Sequence, residues 1–136
     1  MADRIKSFEE LEAWKTAREL VRLEYSVFRR APADRDFGLK DQVQRAAVSA
    51  MTNVAEGFER IHSAEKLQFC SIARASCGEV RSLSYVMLDA NYISEPEHKR
   101  LLDLVAQTGR LVSGLIRSTR ARTEVPNSHL PSPISK

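Results

Sequence analysis

Between Pro32 and Pro96 the chain passes without a proline and with only three glycines, Gly38, Gly57 and Gly78. Such a stretch can stay helical for turn after turn, because the residues that break helices are absent or isolated. Its apolar residues recur at three- and four-residue steps and nowhere alternate with polar ones, which is the pattern of amphipathic helices and not of strands. The expected fold is all-α.

Local signals divide the chain into four helices. The first is placed at about 8–31: Ser7 stands three residues before Glu10, the spacing of a capping box, and Pro32 closes the helix. Its core line reads Trp14, Ala17, Val21, Tyr25, Phe28. Asp36 caps the second, at 37–60. The third, at 64–90, carries Phe69, Ile72, Ala73, Ser76, Val80, Leu83 and Met87, with Asn91 as its stop. Ser94-Glu95-Pro96-Glu97 opens the fourth, at 95–122, whose stripe is Leu101, Leu104, Val105, Thr108, Leu111, Val112 and Leu115. Helices of about 24–28 residues span about 36–42 Å, and short connections force neighbours to run in opposite directions. The expectation is an antiparallel up-down-up-down four-helix bundle over residues 1–122. Residues 123–136, with three of the five prolines and no packing pattern, are read as a disordered tail.

A chain of 136 residues with 43% hydrophobic content supports one core without disulfides or structural metal. Cys70 and Cys77, seven apart, would lie about 10 Å from each other on one helix and cannot pair within it. Both are read as reduced core thiols. His62, His98 and His129 are scattered, so neither a metal nor a cofactor is expected. No apolar run approaches the roughly 20 residues of a membrane span, and the first residues lack the core of a signal peptide, so the expected compartment is the cytoplasm.

The second helix carries more apolar surface than a bundle needs. At 100° per residue its apolar side chains cover about 200°, against the ~100° stripe that suffices for a helix facing one core. Val48, Met51, Ala55 and Phe58 form the surplus, and the expected cover is another copy of the chain; neighbouring helices or the Pro32–Asp36 connection are the alternative. The opposite arc holds Gln42, Arg45, Ser49, Asn53 and Glu56, close enough to form one polar seam. Glu79 on the third helix falls at the edge of the apolar face, with Arg45 as its expected donor. Two readings follow: a structural network that fixes helix register, or an enzyme site built on Glu56, Glu79 and Arg45. Carboxylates without a nucleophile, metal or histidine on the same faces favour the network, and no enzymatic activity is expected.

Charge is concentrated at the C-terminal end. Residues 91–122 hold six Lys/Arg against three acids, which alone equals the net charge of +3 for the whole chain. Lys99, Arg110 and Arg117 project along one line with Arg120 and Arg122 near its end, while Arg74 and Arg81 share an outward face of the third helix with Tyr85. These seven cations form the expected contact surface for RNA or DNA, with the tyrosine as a stacking surface; a merely solvated face is the alternative. Repeated around an oligomer they would act together.

Phe8-Glu9-Glu10-Leu11 with Trp14 and Ala17, then Phe37-Gly38-Leu39, the run from Gln42 through Arg45-Ala46-Ala47-Val48-Ser49 to Asn53-Val54-Ala55-Glu56-Gly57-Phe58, and Ile72-Ala73-Arg74-Ala75-Ser76 with Glu79 carry a resemblance. Over about residues 7–120 the chain resembles the bacterial four-helix-bundle proteins encoded in intervening sequences of 23S ribosomal RNA genes. It departs from their pattern at Ala75, where glycine is frequent, and at Met51, where proline is common. The resemblance implies a homopentameric, barrel-like ring of bundles. For one relative, the accessory variability determinant of diversity-generating retroelements, it implies a basic surface used with nucleic acid and a reverse transcriptase. A protein-interaction scaffold without nucleic-acid binding is the other functional reading.

Overall fold

The computed structural model describes residues 4–124, with side chains as far as Arg122. Four helices make up the fold: α1 (Glu12–Val27), α2 (Phe37–Glu59), α3 (Ser63–Asp89) and α4 (Glu95–Glu124). Short 3-10 turns at Phe8–Glu10 and Ala33–Arg35 precede α1 and α2, and there is no strand among the described residues. The expected tail falls almost wholly outside the described residues.

Three of the predicted signals act as their chemistry requires. Asp36 Oδ1 accepts from the Leu39 backbone N–H at 3.2 Å, capping α2, while its Oδ2 accepts from the Tyr92 hydroxyl at 2.8 Å and ties two inter-helix connections together. Asn91 adopts φ 65°, and the N–H groups of Asn91 and Tyr92 return to the carbonyls of Leu88 and Met87, closing α3 in a Schellman motif. At α4, Glu97 N–H donates to Ser94 Oγ and Ser94 N–H donates to Glu97 Oε1, a reciprocal capping box.

Helix α1 differs from expectation at both ends. Leu11 is extended (φ −73°, ψ 129°) and separates the 3-10 turn from the helix, while the Ser7 hydroxyl turns to the Glu10 carboxylate at 3.3 Å and caps nothing. The helix stops at Val27, four residues short of Ala31. Beyond it Phe28 stays buried against the edge of Tyr92, and Arg30 reaches across to bind Glu97 at 2.6 Å and the Tyr92 carbonyl at 2.8 Å. Those non-local contacts replace the last helical turn. Tyr25 and Ile72, both assigned to core lines, face outward instead, at 38% and 40% exposure.

Each helix packs against two others: α1 on α2 and α4, and α3 on the same pair. The core falls into two apolar clusters. One gathers Leu20, Phe28, Val43, Ala47, Val80 and Leu101; the other gathers Ala13, Val54, Ala73, Val112 and Ile116. In the sequence of every helix a polar residue stands between the two sets: Thr16, Asn53, Ser76 and Thr108. Thr108 Oγ1 lies 3.1 Å from Thr16 Oγ1, and Ser76 Oγ lies 2.7 Å from Ser49 Oγ, so hydroxyls bond across helices where the clusters meet. No helix among the described residues is long and apolar enough to cross a membrane.

Candidate nucleic-acid interface

Small residues on the facing sides of α3 and α4 keep the two helices from filling the seam between them. The result is an open groove of about 770 Å³ floored by Gly78, Ala106, Gly109 and Ser113 and edged by Arg74, Arg81, Arg110 and Arg117. Arg74 and Arg81 are seven residues apart, as are Arg110 and Arg117, so each pair repeats after about 10.5 Å of helix. The four cations share one property. None of them takes part in an ion pair among the described residues, as is also true of Arg18, Arg29, Arg35, Arg100 and Arg120, and the four are set apart by edging one groove. Asp103, the acid on the groove wall, is engaged by Lys99 at 3.4 Å.

The remaining cations of the predicted surface lie elsewhere. Lys99 lines a separate depression with Pro96, Arg100 and Gln107. Arg122 turns back to its own helix, donating to Ser118 Oγ at 3.0 Å beside a small cavity shared with Lys66 and Cys70. Arg120 is exposed. A one-dimensional helical projection sees which residues point outward but not which neighbouring helix they point toward, and so it merges two faces of α4 into one line.

The polar seam of α2 is narrower than its spacing suggests. Asn53 Nδ2 donates to the Ser49 carbonyl at 2.9 Å and to Ser49 Oγ at 3.0 Å, and Ser49 meets Ser76. Glu56 pairs with Arg60 at 2.7 Å. The expected Arg45–Glu79 pair is not formed: Arg45 Nε donates to Asp41 at 3.0 Å, one turn away on its own helix, and Glu79 and Gln42 are exposed. With Glu79 in water, no donor is required. Gly57, beside Glu56, packs on Phe69, ten residues of α3 or about 15 Å from Glu79, so the two carboxylates do not share a site.

Glu24 is the buried carboxyl that sequence reasoning missed. It is fully buried in α1, both oxygens lack a hydrogen-bond partner, and burial pushes its pKa up to about 8. A signal was present, since Glu24 falls four after Leu20 and three before Val27, on the buried line of the helix. Both cysteines are free and buried, and desolvation raises both thiols. Glu95 and His98, like Glu59 and His62, have the three-residue spacing of bundle metal ligands, yet among the described residues no three potential ligands converge.

Val48, Met51, Ala55 and Phe58 are all partly buried. Met51 and Ala55 line an open depression of about 320 Å³ with Phe8 and Trp14, whose rings stand 5.3 Å apart, so the turn before α1 lies beside part of this face. The more exposed large apolar side chains among the described residues are elsewhere: Ile5, Tyr25, Phe37, Ile61, Ile72, Tyr85 and Val86.

Four helices packed on two apolar clusters, with an arginine-edged groove between α3 and α4, define an all-α protein of the four-helix class. Its family follows from comparison. The chain belongs to the 23S rRNA-intervening sequence protein family, whose profile matches residues 9–114. Among solved structures it is similar to a protein of unknown function from the S23 ribosomal protein family of Bacteroides thetaiotaomicron, with a TM-score of 0.71 at 14% identity over 76% of this chain and 97% of that one. A comparison with curated proteins finds no match.

Proposed function

We propose that the chain is a non-enzymatic, self-associating cytoplasmic bundle, with helices running up-down-up-down, that binds RNA or DNA through the α3–α4 groove. The observation that carries this reading is the set of four arginines without ion-pair partners around one concave surface. Guanidinium groups pair bidentately with phosphate oxygens and keep their charge at every physiological pH. Binding would proceed by release of counterions from the phosphates and would be largely independent of sequence. The proposed helix directions draw support from two contacts: Arg30, just beyond the end of α1, bonds Glu97 at the start of α4, while Ala13 near the start of α1 clusters with Ile116 far along α4.

Self-association, as the pentamer implied by family resemblance, would repeat the groove and raise avidity. A reverse transcriptase as protein partner is the narrower form of the proposal, and co-purification from cells expressing both chains tests it. For the groove itself the test is affinity against salt. Four phosphate contacts predict about a 50-fold loss for a single strand between about 50 and 200 mM salt. A flat response, or no binding at the lower salt, overturns the reading. Ile72 and Val86, half-exposed on α3, favour the alternative of a protein-interaction scaffold, which a nuclease-resistant complex with an acidic protein would support.

A further inference from the structure

One helical turn beyond the residues that line the groove, Tyr85 and His98 form an aromatic pair. Arg74, Gly78, Arg81 and Tyr85 follow one another at four-, three- and four-residue steps and so lie along one face of α3. Tyr85 stands edge-on to His98 of α4, ring centroids 4.6 Å apart at 74°, and His98 is one turn before Leu102 on the groove wall. The tyrosine ring therefore sits over the α3–α4 seam, in line with the arginines.

Its position is fixed from beneath. The Ser84 hydroxyl donates its one hydrogen to the Arg81 carbonyl at 2.6 Å, so toward His98 Nε2 at 3.1 Å it accepts, and that nitrogen carries a proton. His98 is buried and held, yet Tyr85 beside it is 46% exposed. An exposed aromatic side chain beyond the end of an arginine-edged groove is the kind of surface on which nucleic-acid bases stack.

The floor adds a second constraint. A Cβ built on Gly78 or Gly109 meets no atom within 4 Å. Packing within the chain gives no reason for either glycine in the middle of a helix, where glycine is among the poorest formers. Both instead keep the channel deep where a polymer backbone would lie. The groove follows the single seam between two packed helices, a line along which one strand could lie with its phosphates between the two arginine pairs.

We infer that the α3–α4 groove selects single-stranded over duplex nucleic acid, with Tyr85 as the base-stacking platform and Gly78 and Gly109 giving the strand depth. This inference rests on the arginine-groove reading, and the experiment separates the two. Fluorescence anisotropy at about 50 mM salt uses a labelled, unstructured RNA of about 16 nucleotides and the corresponding duplex. The single strand is expected to bind at least tenfold more tightly. Tyr85→Ala lowers single-strand affinity about tenfold and leaves duplex affinity unchanged, Tyr85→Phe restores it, and Gly109→Leu lowers it with helical content intact by circular dichroism. Equal affinity for both forms, or a Tyr85→Ala effect that is absent or equal on both, overturns the single-strand inference while the arginine reading stands. No binding of either nucleic acid overturns both.

Discussion

Ser49 on α2 and Ser76 on α3 hold their hydroxyl oxygens 2.7 Å apart, with Asn53 Nδ2 donating to Ser49 from one turn away. Removing either hydroxyl leaves part of a half-buried polar group unpaired, so Ser76→Ala is expected to cost about 1–2 kcal/mol in urea denaturation. Arg45→Ala and Glu79→Ala, both on exposed side chains, should stay within about 0.5 kcal/mol. A large loss at either would mean that the two side chains meet after all.

Glu24 makes stability depend on pH in a particular direction. Its carboxyl ordinarily ionises near 4.5 and is held neutral to about 8 by burial. The folded state therefore gains in full below about 4.5 and loses as pH rises toward 8, by up to about 1.4 kcal/mol per unit. Glu24→Gln should flatten that slope and make the protein more stable than the parent at pH 8. Parallel stability curves for the two proteins between pH 5 and pH 8 would refute the assignment.

The helical glycines divide by what surrounds them. At Gly57 a Cβ would come within 3.3 Å of Phe69 Cβ and 3.6 Å of Cys70 Sγ, so Gly57→Leu is expected to cost about 1–3 kcal/mol through overpacking. At Gly109 there is open space, and Gly109→Ala should gain up to about 1 kcal/mol of helix propensity. Thermal melts of the two variants should move in opposite directions.

If Arg74 and Arg110 each neutralise one phosphate of a single strand, replacing both by alanine lowers the slope of log affinity against log salt by about 1.4. Arg45→Ala, whose guanidinium is taken by Asp41, should leave the slope unchanged. Equal slopes in all three proteins would place the contact surface elsewhere.

Self-association has its own readout. Met51→Glu puts a charge at the depression shared with Phe8 and Trp14, where a second copy would bury it unpaired. Sedimentation velocity at micromolar concentration should show the parent as an oligomer and the variant shifted toward the single chain. Identical profiles would remove this face from the interface.

How much of this was legible beforehand depended on whether the physics was local. The capping box at Ser94, the cap at Asp36 and the left-handed stop at Asn91 are settled by residues within five positions of one another, and the sequence shows them directly. The end of α1 is not local: Arg30 leaves the helix for partners more than sixty residues away. The groove required knowing which side of α4 faces α3, which decides that Arg110 and Arg117 join Arg74 and Arg81 while Lys99 does not. Glu24 was visible in the periodicity, four residues after Leu20 and three before Val27, but a carboxylate buried without a partner runs against its solvation energy, which the surrounding core and not the local pattern overrides.

The belt of hydroxyls and amide formed by Thr16, Ser49, Asn53, Ser76 and Thr108 also bears on how the molecule breathes. It stands between the two apolar clusters, so the two halves are expected to open as separate units. Backbone amides around Ala13, Val54 and Ile116, in the smaller half, should exchange with deuterium earlier than those around Leu20, Val43 and Leu101, and this end of the rod would open while the other stays closed.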